Sequence, residues 1–143
     1  MNILVVLDGS KNDNFLLKES ERFSNSNKNN IFTLYVIEVN QKLEIDTQLE
    51  EEILLAENIL KKSEKFLGLS KNNNQAQLVQ SRHRGSAIVN EIIRNDIKLL
   101  IVGSEYPQNY GDFEISEYIN YLLKNSPCDV FFTEIKIYKL NRY

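Results

Sequence analysis

The sequence predicts an α/β protein, a single-domain three-layer sandwich in which four helices cover a five-stranded, mostly parallel sheet. Three observations carry this. Ile3 to Leu7 and Leu99 to Val102 are unbroken aliphatic runs, as expected of central strands covered on both faces. Strand-like and helix-like segments alternate from one end of the chain to the other, the pattern of a parallel sheet with helical crossovers. No Gly/Pro-rich linker or sequence repeat interrupts that alternation, so the 143 residues form one domain, 1–143, long enough for one sizeable core.

The elements follow in order. The first strand, Ile3 to Leu7, ends at Asp8-Gly9-Ser10, which are turn formers with a helix cap among them. Leu16, Ser20 and Phe23, with Phe15 beside them, give a short, modestly amphipathic helix, and Ile31 to Val39 is the second strand. In the second helix Leu49, Ile53, Ala56, Leu60, Ser63 and Leu67 lie along one face. Thr47 and Glu50 fit a capping box, glutamates fill the first turns, lysines the last, and Gly68 is the stop. Ala76 to Ser81 is polar and belongs at a sheet edge. Gly85-Ser86 opens the third helix, with Ala87, Ile88 and Ile92 inward. Gly103-Ser104 ends the fourth strand; Ile115, Ile119 and Leu122 mark the last helix, Pro127 lies past its end, and Val130 onward returns to strand.

Composition excludes several functions. A net charge of −3 offers no general attraction to nucleic acid or to an anionic membrane, and no apolar run approaches the roughly 20 residues of a membrane span. One cysteine excludes an internal disulfide and suits a reducing compartment. Met1 leads straight into a strand without a signal-like segment, so the cytoplasm is expected. No Ser-His-Asp set, Walker motif, paired carboxylates or metal-ligand spacing can be assembled. His83 has no second histidine, and Cys128 after Pro127 reads as a small buried hydrophobe. The chain is not expected to be an enzyme.

Several stretches resemble the universal stress protein (UspA-like) family: ILVVLDGS at 3–10, TLYVIEV at 33–39, GSAIVNEI at 85–92, IVGS at 101–104 and SPCDV at 126–130. The resemblance implies strand order 3-2-1-4-5 and a ligand crevice between the ends of strands one and four. It further implies that Asp8 meets a nucleoside, that Val36 offers its backbone to an adenine, and that Val102 and Gly103 close the pocket. Members that bind ATP carry glycines after strand four, which let backbone amides approach the phosphates. Counted from Gly103, the next glycine position holds Tyr106, the third holds Ser116, and the hydroxyl position holds Glu117. Only Gly103 survives, so the ATP loop is degenerate.

Charge points the same way. Between Lys98 and Lys124 there is no basic residue, while Glu105, Asp112, Glu114 and Glu117 are acidic. A like charge at about 4 Å costs on the order of 1 to 4 kcal/mol, which cancels much of what helix-terminal amides offer a phosphate. Acids at a helix start are also good helix design, and Asp8 serves equally as a turn cap. Arg82 and Arg84, flanking His83 before the third helix, can hold an anion or a partner's carboxylate, or stand as a solvated basic loop. Among the tyrosines near the loop, Tyr106 obstructs a phosphate, and at least one of Tyr118 and Tyr121 falls in the core.

The expected function is a regulatory and binding module acting through an as yet unnamed protein partner, with no resident cofactor. The alternative is a stress or transport sensor that keeps a nucleoside pocket and binds an adenine nucleotide, AMP or ATP. A homodimer through the last strand is expected, because Phe131, Thr133, Ile135 and Ile137 share one face of an edge strand that is a hazard unless paired. Neither nucleic acid nor membrane insertion is expected.

Overall fold

The computed structural model describes residues 1–24, 29–45, 49–68, 73–107 and 117–137, the side chains of 104–107 and 134–137 excepted. Strand and helix alternate as β1 (Asn2–Leu7), α1 (Asn12–Ser24), β2 (Asn30–Glu38), α2 (Glu50–Leu67), β3 (Asn73–Ser81), α3 (Arg84–Arg94), β4 (Leu99–Pro107), α4 (Glu117–Asn125) and β5 (Asp129–Ile137). The sheet order is β3-β2-β1-β4-β5, and every pairing is parallel.

Strand alternation sorts the apolar residues into two layers. Ile3, Val5, Leu7, Ile31, Leu99 and Ile101 meet Leu16 and Leu17 of α1 and Leu60 and Leu67 of α2. Leu4, Val6, Leu34, Leu100 and Val102 meet Ala87, Ile88 and Ile92 of α3 and Ile119 and Leu122 of α4. Burying each such aliphatic side chain contributes about 1.5–3 kcal/mol, so the two layers hold the sheet from both sides. Ser20 and Ser63 sit in the first layer at no polar cost, because each hydroxyl donates to a carbonyl three residues back, Leu17 and Leu60.

At the N-terminal rim of the sheet three asparagines stand in register on adjacent strands, Asn2, Asn30 and Asn73. Asn73 Nδ2 donates to Asn30 Oδ1 at 3.3 Å, Asn30 Nδ2 to Asn2 Oδ1 at 3.0 Å, and Asn2 Nδ2 to the Asn95 carbonyl at 2.8 Å.

Several local expectations change. β4 does not stop at Gly103-Ser104 but runs to Pro107, because β5 supplies a partner for each residue, from Leu99↔Asp129 to Pro107↔Ile137. In α1 the buried residues are Asn12, Leu16, Leu17, Ser20 and Ser24, whereas Phe15 and Phe23 are exposed. Phe23 instead covers β5, edge-on to Phe131 with ring centroids 5.1 Å apart. The residue before α2 is Leu49, with no side-chain capping bond; Thr47 lies outside the described residues, as does Ile115. α3 starts at Arg84, capped by His83, whose Nδ1 accepts from Ser86 N at 3.0 Å.

Candidate functional site

β1 and β4 pair only from Ile3↔Leu99 to Val5↔Ile101, while β4 continues beside β5 to Pro107. The order of connections reverses between these two strands, so a crevice opens at their carboxyl ends, the position where open α/β sheets take ligands.

The β1–α1 turn forms its near wall. Gly9 has φ +82, and Asp8 Oδ1 accepts from Ser10 N at 2.8 Å. Ser10 Oγ accepts from Asn12 N at 3.2 Å, and the Asp13 carboxylate reaches back to accept from Asp8 N at 3.1 Å and Gly9 N at 2.9 Å. This reciprocal arrangement is close to a capping box. Burial pushes the Asp13 carboxyl up to about 6, helped by the Asp8 carboxylate and opposed by the two amides. Asp8 stays exposed. Asn12, at the start of α1, is buried with no acceptor for its Nδ2 donor.

Val36 is buried, and beside it a cavity of about 320 Å3 is walled by Tyr35, Val36, Ile37, Glu38, Glu52 and Leu55. Val102 is also buried, its side chain in the α3/α4 layer, so only its backbone is available to a ligand. Gly103 pairs with Thr133; a Cβ there would meet Leu16 and Thr133 at ordinary contact distances of 3.4–3.5 Å. The glycine is therefore not required by local packing.

The two arginines part company. Arg82 turns to its own chain: Nη1 donates to the Asn40 carbonyl at 2.8 Å and Nη2 to the Leu43 carbonyl at 2.6 Å, pinning the segment after β2. Arg84 turns to the crevice. Its guanidinium carbon lies 3.7 Å above the Tyr118 ring, its Nε is 3.7 Å from Glu38 Oε1, and that Nε is buried without a hydrogen-bond acceptor. A guanidinium over a tyrosine face is held by the ring quadrupole and still keeps its in-plane donors for an anion. Burial raises the Tyr118 hydroxyl far above its ordinary value; Arg84 opposes this, while Asp8 and Glu38 add to it. Tyr35 is likewise raised, by burial, Asp8, Glu52 and Asp13, with Arg84 opposing. Asp8 and Arg84 thus act on the same two tyrosines, one on each face of the sheet.

Asp8, Val36 and Arg84 therefore converge on one end of the sheet, while Arg82 serves the loop beside it. Tyr118, one of the tyrosines near the loop, joins this end, and Tyr35, Glu38 and Asp13 are members of it that sequence reasoning did not assign. Tyr121, also packed on the core, meets the His83 ring edge-on at 4.8 Å between centroids. Cys128 is half-buried against the α3/α4 layer, and burial raises its thiol. Gly111, Asp112 and Glu114 lie outside the described residues, as do Tyr110 and Ser116, and the side chains of Glu105 and Tyr106; Glu117 is the exposed first residue of α4. Among the described residues, no three His, Cys, Asp or Glu side chains gather to hold a metal, and no helix is long and apolar enough to cross a membrane.

The doubly wound parallel sheet, with its switch between β1 and β4, defines a Rossmann-like class of α/β protein. Within it, the model of the universal stress protein family matches residues 1–133, and the chain belongs to that family. Solved structures agree in fold. The universal stress protein from Archaeoglobus fulgidus in complex with dAMP superposes with a TM-score of 0.72 at 12% identity, covering 92% of this chain and 96% of that one. A universal stress protein family protein from Arabidopsis thaliana with AMP bound gives 0.65 at 16% identity, covering 94% and 92%. A universal stress protein in complex with cAMP gives 0.64 at 15% identity, covering 94% and 96%. No curated protein sequence matches the chain.

Proposed function

We propose that the protein is a binding and regulatory module of the universal stress type that acts through protein partners and lacks the family's triphosphate cradle. The observation that carries this is the course of β4. Its backbone from Gly103 to Pro107 is laid against β5 as a regular ladder, where an ATP-binding relative needs glycine-rich backbone wrapped around phosphates. The acidic sequence from Glu105 to Glu117 supports the same reading. The module binds rather than catalyses, works in the cytoplasm, and pairs as a homodimer along β5.

A second reading is favoured by one feature. Arg84 lies at the end of the sheet that Asp8 and Val36 share, its guanidinium stacked on Tyr118 and its buried Nε without a hydrogen-bond acceptor, and such a cation suits the single phosphate of an adenylate better than a triphosphate beside acids. Relatives with AMP, dAMP and cAMP support a nucleoside pocket of this kind. Titration calorimetry with adenosine, AMP and Mg-ATP tests both readings. Adenosine or AMP is expected to bind no worse than ATP, and ATP weakly or not at all. Micromolar or tighter ATP affinity, or an affinity climbing from adenosine to ATP, overturns the loss of the cradle.

A further inference from the structure

The α2 helix obeys the rule of an amphipathic surface helix over its second half, where Lys61, Lys62, Glu64 and Lys65 face solvent. Its first half breaks that rule. Leu54 and Leu55 are 61% and 56% exposed, although neighbouring Ala56 and Leu60 are buried. At the same end of the β2–β3 pair, Leu43 and Ile45 are 40% and 51% exposed. That turn is held in place: Arg82 binds the Leu43 carbonyl, and Gln80 Nε2 donates to the Ile45 carbonyl at 3.2 Å. Scattered single exposed leucines need no explanation, but an adjacent exposed pair on one helix, with two more exposed aliphatic residues on a turn pinned at the same end of the strands, does.

The charge around them is one-sided. Among the described residues from 43 to 60 there are five acids and neither lysine nor arginine. Two recesses flank the leucines, one of about 360 Å3 at Leu49–Glu52 and the cavity of about 320 Å3 bounded by Glu52 and Leu55. An apolar ledge with acidic borders and side-chain-sized recesses repels a second copy of itself, an anionic membrane and nucleic acid alike.

From this complementarity we propose that the first half of α2, with the Leu43–Ile45 turn, docks a basic amphipathic helix of a partner protein. Apolar side chains of that helix cover Leu54 and Leu55 and enter the recesses, while its lysines or arginines meet Glu50, Glu51 and Glu57. Because Leu55 and Glu52 also wall the cavity beside Val36, an occupant of the ledge borders that cavity. The proposal rests on the partner-mediated reading and gives it a surface.

The probe is a synthetic leucine–lysine helix with one apolar and one basic face, titrated into the full-length isotope-labelled protein and followed by amide NMR shifts. A scrambled peptide of equal charge is the control. Shifts are expected at residues 43–45 and 50–57 with the amphipathic peptide only. Leu54→Ser with Leu55→Ser should weaken binding at least tenfold, and Glu50→Gln, Glu51→Gln with Glu57→Gln at least fivefold with a flattened salt dependence, all with an unchanged native spectrum. Equal binding of the scrambled peptide, indifference to the leucine pair, or a dimer that falls apart when the pair is replaced would overturn the proposal. Shifts clustered on another face overturn the ledge and leave the partner-mediated reading standing, with its docking surface elsewhere.

Discussion

Replacing Gly85 by alanine probes the contact that brings α3 and α4 together under the crevice. Gly85 is buried in the first turn of α3, and a Cβ there would lie 2.6 Å from Tyr121 Cδ1 and 3.2 Å from its Cε1. The ring cannot simply swing toward His83, whose Cε1 is itself 3.2 Å from the new methyl and whose imidazole already packs edge-on against it. Overpacking of this kind costs about 1–3 kcal/mol. Against it stands the better helix propensity of alanine, worth up to about 1 kcal/mol and less in a first turn. The balance is a loss of about 1–2 kcal/mol, or a Tm lower by roughly 2–10 °C at about 2–5 °C per kcal/mol for a domain of this size. Urea and thermal denaturation of Gly85→Ala, Tyr121→Ala and the double variant check it. With the ring removed, the Gly85 substitution should become neutral or mildly stabilising, a coupling of about 1 kcal/mol or more. An unchanged Tm in the single variant, or the same loss with and without Tyr121, would refute the steric argument.

The remaining predictions are shorter. The Asp13 carboxyl titrates near 6 in the folded chain against an ordinary 3.8, so its contribution to stability is fully present below about pH 3.8 and is lost as pH rises through about 6. Urea denaturation should therefore show the advantage of wild type over Asp13→Asn shrinking between pH 4 and 7, and a pH-independent difference would contradict it. Arg82→Ala should lower Tm by a few degrees, the equivalent of about 1 kcal/mol for two lost loop bonds, and leave AMP affinity unchanged. Arg84→Ala should do the reverse, weakening AMP at least tenfold by calorimetry; equal effects from the two arginines would dissolve the distinction between them. Thr133→Pro with Ile135→Lys removes a ladder donor and places charge along β5, so light scattering should report monomer or aggregate. An intact, equally stable dimer would put the interface elsewhere.

Central elements were readable because the residues themselves declare burial on both faces. Ile3 to Leu7 and Leu99 to Val102 have no polar side, and only a covered parallel strand uses such a run. Glutamine-rich β3 showed its edge position for the complementary reason. The end of β4 was not readable: Gly103 and Ser104 are local turn formers, and what overrides them is a nine-residue ladder with β5, whose sequence lies more than twenty residues downstream. Phe23 misled similarly. Its helical spacing suits the core, yet its ring is spent on Phe131, a contact that exists only once β5 is in place. At the crevice, Asp8 and Arg84 were visible as residue types at strand ends and helix starts. That Arg84 would lie on Tyr118 depends on two helices meeting across the sheet face, which no spacing encodes. Asp13 had a signal that went unused, an acid three residues after Ser10, the spacing by which a first-turn carboxylate returns to preceding amides.

The asparagines at the sheet's lower rim, which composition alone presents as bias, have a direction. Each amide gives through nitrogen and receives through oxygen, so Asn73, Asn30, Asn2 and the Asn95 carbonyl form a relay running one way across three strands and on to the end of α3. A relay is unequal along its length. Removing Asn73 silences one link, whereas removing Asn30 silences two, and Asn30→Asp replaces a donor by a repelled oxygen while leaving the receiving side intact. Deamidation of the middle member would thus injure strand registry more than the same event at Asn73.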